Sequence, residues 1–234
     1  MIVFPLIATG VSIAFSAALV LQYKQKRGLP QLAWGIAMAA FSIASIAVAA
    51  GTSGGWDPTL YRVFWLFGAL LNVPWLAVGS IALVSPRAIG IAAFGLAVLG
   101  SAFAVVSVAR AEPSMAGLAV SGIPSGREVW GDAQSAMVNF YSIVPYFIVV
   151  GIAVLSSLRR KGVRPPKSRV QGNYAIAAGA TIVAVGGFAL RRLDDSGIAF
   201  STALALGVVV MYAGFLLASR APRYRVEEPG ESPT

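Results

Sequence analysis

The sequence predicts an all-α integral membrane protein, a bundle of seven transmembrane helices with its N-terminus outside and its C-terminus in the cytoplasm. Three observations lead to this fold class: a high apolar content, long uncharged windows, and an uneven distribution of Lys and Arg. Hydrophobic residues make up 57% of the 234 residues and charged residues only 12%. An ordinary soluble domain is about 45–50% apolar and about 25% charged. With a mean hydropathy of +0.77, the composition favours a membrane protein.

Seven windows of the sequence are long and apolar, and contain no Lys, Arg, Asp or Glu. A helix needs about 20 mostly apolar residues to cross a bilayer. Because lipid offers no hydrogen-bond partners to the backbone, each window is expected to form a helix. An eighth apolar stretch, 115–124, is too short to cross and is expected to lie at the surface or to dip into the membrane without crossing it. The seven predicted spans are Ile2–Leu21, Leu32–Ala50, Val63–Ser85, Ala88–Ala109, Ala136–Leu158, Tyr174–Leu190 and Ile198–Ala218.

The basic residues predict the orientation of these spans. If the spans alternate in direction, 13 of the 18 Lys and Arg residues fall on one side, at positions 24–27, 87, 159–169 and 220–225. Short cytoplasmic loops carry an excess of Lys and Arg, so this side is predicted to face the cytoplasm. The N-terminus is then outside.

Domain organisation and location follow from the same pattern. Residues 1–220 are predicted to form the transmembrane domain, and 221–234, rich in Pro, Gly, Glu and Ser, a disordered cytoplasmic tail. The basic side is expected to contact anionic lipid headgroups and not nucleic acid. Because the chain is rich in Ala, Val, Gly and Arg, which indicates GC-rich coding sequence, we expect a multi-pass protein of the bacterial plasma membrane.

The residue inventory disfavours catalysis. The chain has no Cys and no His, which removes thiol chemistry and the commonest metal ligands and general bases. No metal or other cofactor is therefore expected. Charged residues are missing from the span interiors, which argues against a proton-coupled pump. Three carboxylates, Glu112, Glu128 and Asp132, lie on a predicted external loop, where such groups are usually only solvated, so enzyme activity is left open but disfavoured.

Uncharged polar side chains on the third and fifth windows suggest one candidate ligand pocket. They follow helical spacing on each window. Trp75 adds an indole N–H in mid-window that needs a partner. Pro74 and Pro145 each remove a backbone donor and free a carbonyl. We expect a pocket open to the outside and covered by residues 110–134. Its predicted residues are Arg62, Trp65, Asn72, Trp75, Asn139, Ser142 and Tyr146.

Two interpretations of function stay open. The first is a protein that binds, senses or passes a small apolar or amphipathic molecule through this pocket. The second is a non-catalytic subunit or scaffold of a membrane complex, or a homo-oligomer, joined through small-residue faces such as Ala203, Gly207 and Gly214. If the polar faces of the third and fifth windows bind no ligand, Asn72 and Asn139 only form hydrogen bonds across helices or to carbonyls freed by proline, and each bond stabilises the bundle by about 0.6 kcal/mol.

Overall fold

A computed structural model describes residues 2–119, 122–157, 166–188 and 197–219 of the chain. The regular structure in these residues is helical, with no strand among them. A one-turn helix, Met115–Leu118, lies between the fourth and fifth of the long helices. The long helices are α1 (Val3–Lys26), α2 (Leu29–Gly54), α3 (Pro58–Val84), α4 (Arg87–Arg110), α5 (Gly126–Leu155), α6 (Lys167–Phe188) and α7 (Ile198–Ser219).

Six of these helices, within the described residues, are long and apolar enough to cross a membrane. The six exclude α6, which overlaps the sixth predicted span. Its first turns carry Lys167, Arg169, Gln171 and Asn173, so its apolar part is shorter than that of the others. The count of seven spans and the orientation of the termini therefore stay predictions. The predicted tail, 221–234, lies outside the described residues.

Consecutive helices run antiparallel, so the bundle has two ends. One end carries residues 55–57, 111–119 and 122–125, and we call it the cap face. The other end carries Arg27, Arg87 and Lys167, and we call it the basic face. α1 packs closely on α2 and on α7, and α3 packs on α2, α4 and α5.

The closest helix pair is α6 and α7, which meet along a seam of glycines. Gly172 and Gly179 of α6 face Gly214 and Gly207 of α7. A Cβ atom at Gly179 would lie 2.6 Å from the Gly207 carbonyl oxygen, and one at Gly172 would lie 2.5 Å from the Gly214 carbonyl oxygen. Small residues allow two helix backbones to come this close. Helices in lipid associate through such close packing, because the hydrophobic effect gives little driving force between them there.

A π-helical segment, Trp65–Leu71, interrupts α3. In a π-helix each carbonyl pairs with the N–H five residues later. Pro74, which has no N–H, lies just beyond the segment. Within the segment, the Ala69 oxygen accepts a hydrogen bond from Ser142 Oγ of α5 at 3.2 Å. This bond joins α3 to α5 at the π segment, and such segments occur frequently at functional sites.

Candidate functional site

A cavity of about 550 Å³ lies inside the bundle, between α2, α3, α5, α6 and α7. Its walls are mostly aliphatic and aromatic side chains, and none of its described lining residues is charged. The volume falls in the range of small-molecule sites, which span roughly 300–1,000 Å³. Apolar cavities of this kind tend to stay dry and to accept apolar guests.

An aromatic cluster closes the cavity toward the cap face. Phe64 and Trp65 line the cavity itself, and the ring of Tyr61 lies 6.0 Å from that of Trp65. Tyr61 lies 5.5 Å from Trp56, which packs edge-on against it. The ring of Trp130 lies 6.4 Å from that of Trp65. These large rings, buried except for the half-buried Trp130, form a lid over the cavity.

The chain segment of the cap face fastens this aromatic lid. Trp56 Nε1 donates to the Gly122 carbonyl at 2.6 Å, and Tyr61 OH donates to the Pro124 carbonyl at 3.0 Å. Gly126 packs directly on the Trp65 ring, where a Cβ atom would have no room. From the sequence we expected residues 110–134 to cover an open pocket; the described residues of this range bond to and pack on the rings that close the cap face.

Three buried side chains, Met38, Leu76 and Met211, close the cavity toward the basic face. Just beyond them, Trp34 Nε1 donates to the Leu76 carbonyl at 3.0 Å, and its ring packs on Gly79. Both ends of the cavity are therefore sealed by bulky side chains held by hydrogen bonds or close packing.

The cavity opens sideways, between α5 and α6. Three lining residues at this position are exposed: Ile143 by 40%, Phe147 by 66% and Val185 by 48%. Beside these residues, Tyr146 OH and Thr181 Oγ1 lie 3.0 Å apart and join the two helices by a hydrogen bond. Ile143 and Phe147 lie within α5, which is long and apolar enough to cross a membrane, and Val185 lies about one turn before the end of α6. On α5 the opening is therefore directed to where the acyl chains of a bilayer would be.

Three residues that line the cavity each carry a buried polar atom with no hydrogen-bond partner within the described part of the chain: Ser45 Oγ, Trp65 Nε1 and Asn72 Oδ1. The residues are only 2%, 4% and 4% exposed, respectively. The three atoms are inaccessible to solvent, so they lie within the wall and do not face the open space of the cavity. The surface that the cavity presents to a guest is therefore predominantly apolar.

Four of the seven residues predicted from the sequence line this cavity: Trp65 and Asn72 on α3, and Ser142 and Tyr146 on α5. Ser142 bonds the Ala69 carbonyl and Tyr146 bonds Thr181. These four residues of the third and fifth windows therefore lie near one another, and Ser142 and Tyr146 are engaged in bonds that join helices.

The other three predicted residues lie elsewhere. A guanidinium nitrogen of Arg62 donates to the Ala111 carbonyl at 2.9 Å, at the cap face. Trp75 points to α4, where its Nε1 donates to Ser101 Oγ at 3.1 Å and its ring packs on Phe94. Asn139 is exposed on the outer side of α5 and does not line the cavity.

Two features of the cavity were not predicted from the sequence: the polar residue Ser45, and the walls that α6 and α7 form. Ser45 belongs to α2, for which the sequence predicts no polar stripe. A serine in an uncharged, Ala-rich window was the signal that could have identified it. α6 and α7 supply much of the apolar wall, including Val183, Leu204 and Val208. Apolar residues in a span carry no signal that separates a cavity wall from a lipid-facing surface.

The described residues include no group of three or more metal-ligating side chains. No family model, curated protein or solved structure matches this chain. The fold and the cavity alone therefore carry the argument on function: a helical, membrane-type protein with a closed-ended apolar cavity and a lateral opening.

Proposed function

We propose that the protein binds a small apolar or amphipathic molecule, which enters the cavity from the bilayer. The observation that carries this proposal is the 550 Å³ cavity with apolar walls in the middle of the bundle. Sealed ends and an opening between α5 and α6 favour a ligand that partitions into lipid over one that arrives from water. From the sequence we expected an opening to the outside, but the aromatic cluster at the cap face favours the lateral route instead.

A cavity-filling substitution tests the proposal. Ala184 lines the cavity on α6, and Ala184→Phe places a ring in it. The matched control is Ala92→Phe, the same change at an exposed position of α4. A ligand that binds the folded state raises the unfolding temperature through mass action. We expect dodecylbenzene, supplied in lipid nanodiscs, to raise the unfolding temperature of the wild-type protein and of Ala92→Phe but not of Ala184→Phe.

Equal shifts in all three proteins would mean that the probe acts through the bilayer and not through the cavity. No shift in any of them would refute the proposal. Purification with a stoichiometric membrane partner, together with absence of any shift, would favour the subunit or scaffold interpretation.

We further propose that the basic face contacts the anionic headgroups of the cytoplasmic leaflet of a bacterial plasma membrane. Lys24, Lys26 and Arg27 lie together at this face, as does Arg87. The absence of Cys from the sequence makes single-cysteine labelling direct. Gln25→Cys at the basic face should resist a membrane-impermeant maleimide in intact cells, while its counterpart at the cap face should react.

The cap-face counterpart is Ser53→Cys, at an exposed position near the end of α2. Its labelling in intact cells, with Gln25→Cys labelled only after permeabilisation, agrees with the proposed orientation. The reverse pattern would contradict it.

A further inference from the structure

We propose that Asn139 of α5 binds the hydroxyl group of an uncharged, single-chain amphiphile at the edge of the opening nearer the cap face, while the apolar part of that amphiphile occupies the cavity. This inference deepens the proposed function and rests on it. It depends on an exposed side chain beside the opening, whereas the proposed function depends only on the apolar volume and its sideways opening.

Asn139 differs from the other polar side chains in the stretch 134–146 of α5. The other five each form a hydrogen bond: Gln134 to Ser107, Ser135 to the Gly131 carbonyl, Tyr141 to the Gly100 carbonyl, Ser142 to the Ala69 carbonyl, and Tyr146 with Thr181. Within the described part of the chain the Asn139 amide forms no such bond, and the residue is exposed. Because acyl chains offer no hydrogen bonds, an amide in this position favours a partner from outside the chain.

Asn139 lies at the edge of the opening, in line with the residue that joins α5 to α6. Tyr146, seven residues later and so on the same face of the helix, pairs with Thr181 of α6. The two helices are antiparallel, so seven residues toward the cap face lead from this bond to Asn139 on α5 and to Phe188, where α6 ends. The amide is therefore beside the mouth of the cavity, about one turn from the exposed Ile143.

The depth of Asn139 suits the polar end of an amphiphile. Asp132, seven residues nearer the cap face, forms an exposed ion pair with Arg127 at 3.1 Å. A helix rises about 1.5 Å per residue, so Asn139 lies roughly 10 Å below this charged pair. The polar region on each side of a bilayer is about 5–8 Å thick. Asn139 is therefore near the level where headgroups meet acyl chains in the leaflet at the cap face, and the ligand's apolar part extends from there toward the cavity.

An amide and a hydroxyl group match each other as hydrogen-bond partners. The oxygen of the Asn139 amide accepts and its nitrogen donates, and a hydroxyl group can do both. An ether or ester oxygen can pair with the nitrogen alone. A charged headgroup would find no counter-ion on the span of α5, because residues 134–155 include no charged side chain.

Two probes that differ by one hydroxyl group test the role of the amide. 4-Dodecylphenol is dodecylbenzene with one added hydroxyl group, and both probes are uncharged at neutral pH. Apparent Kd values, expressed as the mole fraction of probe in the bilayer, come from titrating each probe in nanodiscs and following the unfolding temperature. We expect the wild-type protein to bind 4-dodecylphenol about tenfold more tightly than dodecylbenzene, as one or two added hydrogen bonds imply.

Variants assign this preference to Asn139. Asn139→Leu should bind the two probes equally and leave dodecylbenzene binding unchanged, because the residue is exposed and lies outside the cavity. Asn139→Gln keeps the amide and should keep most of the preference. The matched control is Asn173→Leu, the same substitution at a half-buried position in the first turns of α6, near the basic face, and it should keep the full preference. Ala184→Phe should abolish binding of both probes.

The outcomes for the inference and for the proposed function are distinguishable. If the wild-type protein binds both probes equally, or if the preference survives Asn139→Leu, the inference is wrong and the apolar binding function stands. A preference lost in Asn173→Leu instead would place the hydroxyl group near the basic face and would also overturn the inference. A preference that survives Asn139→Leu while the oligomeric state changes would assign Asn139 to a contact between two copies of the chain. If neither probe binds, the inference and the proposed function both fail.

Discussion

The glycine seam between α6 and α7 gives a prediction with a definite sign. Replacing Gly179 by Ala adds a Cβ atom 2.5 Å from Met211 Cγ, 2.6 Å from the Gly207 carbonyl oxygen and 2.8 Å from the Met211 backbone nitrogen. Two of these three atoms belong to the backbone, which cannot rotate away. The helices must therefore move apart along the seam that joins them.

Two opposing contributions set the magnitude. Overpacking of a well-packed interface costs about 1–3 kcal/mol. Ala in place of Gly within a helix returns about 0.8–1 kcal/mol. Because the contacts fall on backbone atoms, the overpacking term is expected to be at the upper part of its range. We expect Gly179→Ala to lower the free energy of unfolding by about 1–2 kcal/mol.

The control is Gly10→Ala, since a Cβ atom at Gly10 of α1 would have no neighbour within 4 Å. This variant should be as stable as the wild-type protein or slightly more stable. The free energy of unfolding of both variants can be measured in mixed micelles by titration with a denaturing detergent. The reasoning is refuted if Gly179→Ala is as stable as Gly10→Ala, because the close approach of α6 and α7 would then be absent.

Two further predictions concern the hydrogen bonds of single side chains. Asp57 Oδ1 accepts hydrogen bonds from the backbone N–H groups of Thr59 and Leu60, at 2.8 and 3.0 Å, at the start of α3. Asp57→Ala should therefore lower the free energy of unfolding by about 1 kcal/mol, and Asp57→Asn by much less. Equal losses in the two variants would contradict the capping role. Ser142→Ala removes the hydrogen bond to the Ala69 carbonyl and should lower the free energy of unfolding by about 0.6 kcal/mol. It should also shift the NMR signals of the backbone amides in the π segment. Unchanged signals would contradict the role of Ser142 there.

Hydropathy predicted the helical class because a lipid-spanning backbone has few alternatives. The helices extend beyond the predicted windows: α2 covers Leu29–Gly54, against a window of Leu32–Ala50. Hydropathy detects only the apolar part of a helix, and α2 continues into its flanks through Pro30 at one end and Thr52 at the other. The same limit explains α6, whose polar first turns form a helix that hydropathy alone cannot assign to the membrane.

The candidate site was predictable in part. Trp65 and Asn72 share one face of α3 by simple periodicity, and both line the cavity. Trp75 and Asn139 could not be placed in this way, because spacing along one helix does not specify which neighbour that face meets. The π segment had a single signal, Pro74, and hydropathy carries no information about a change in helical pitch. Cavities arise from the packing of several helices, so the wall contributed by α6 and α7 required the structure.

Photolabelling tests the central claim, that a small apolar or amphipathic molecule occupies the cavity and enters it between α5 and α6, most directly. A dodecylbenzene with a diazirine in its alkyl chain can be photolysed with the protein in nanodiscs, and the adducts located by mass spectrometry. The account predicts saturable adducts on Ile143, Phe147 or Val185, lost in Ala184→Phe. Adducts spread over the exposed face of α4, at residues such as Leu96, with none that saturate at the opening, would contradict it.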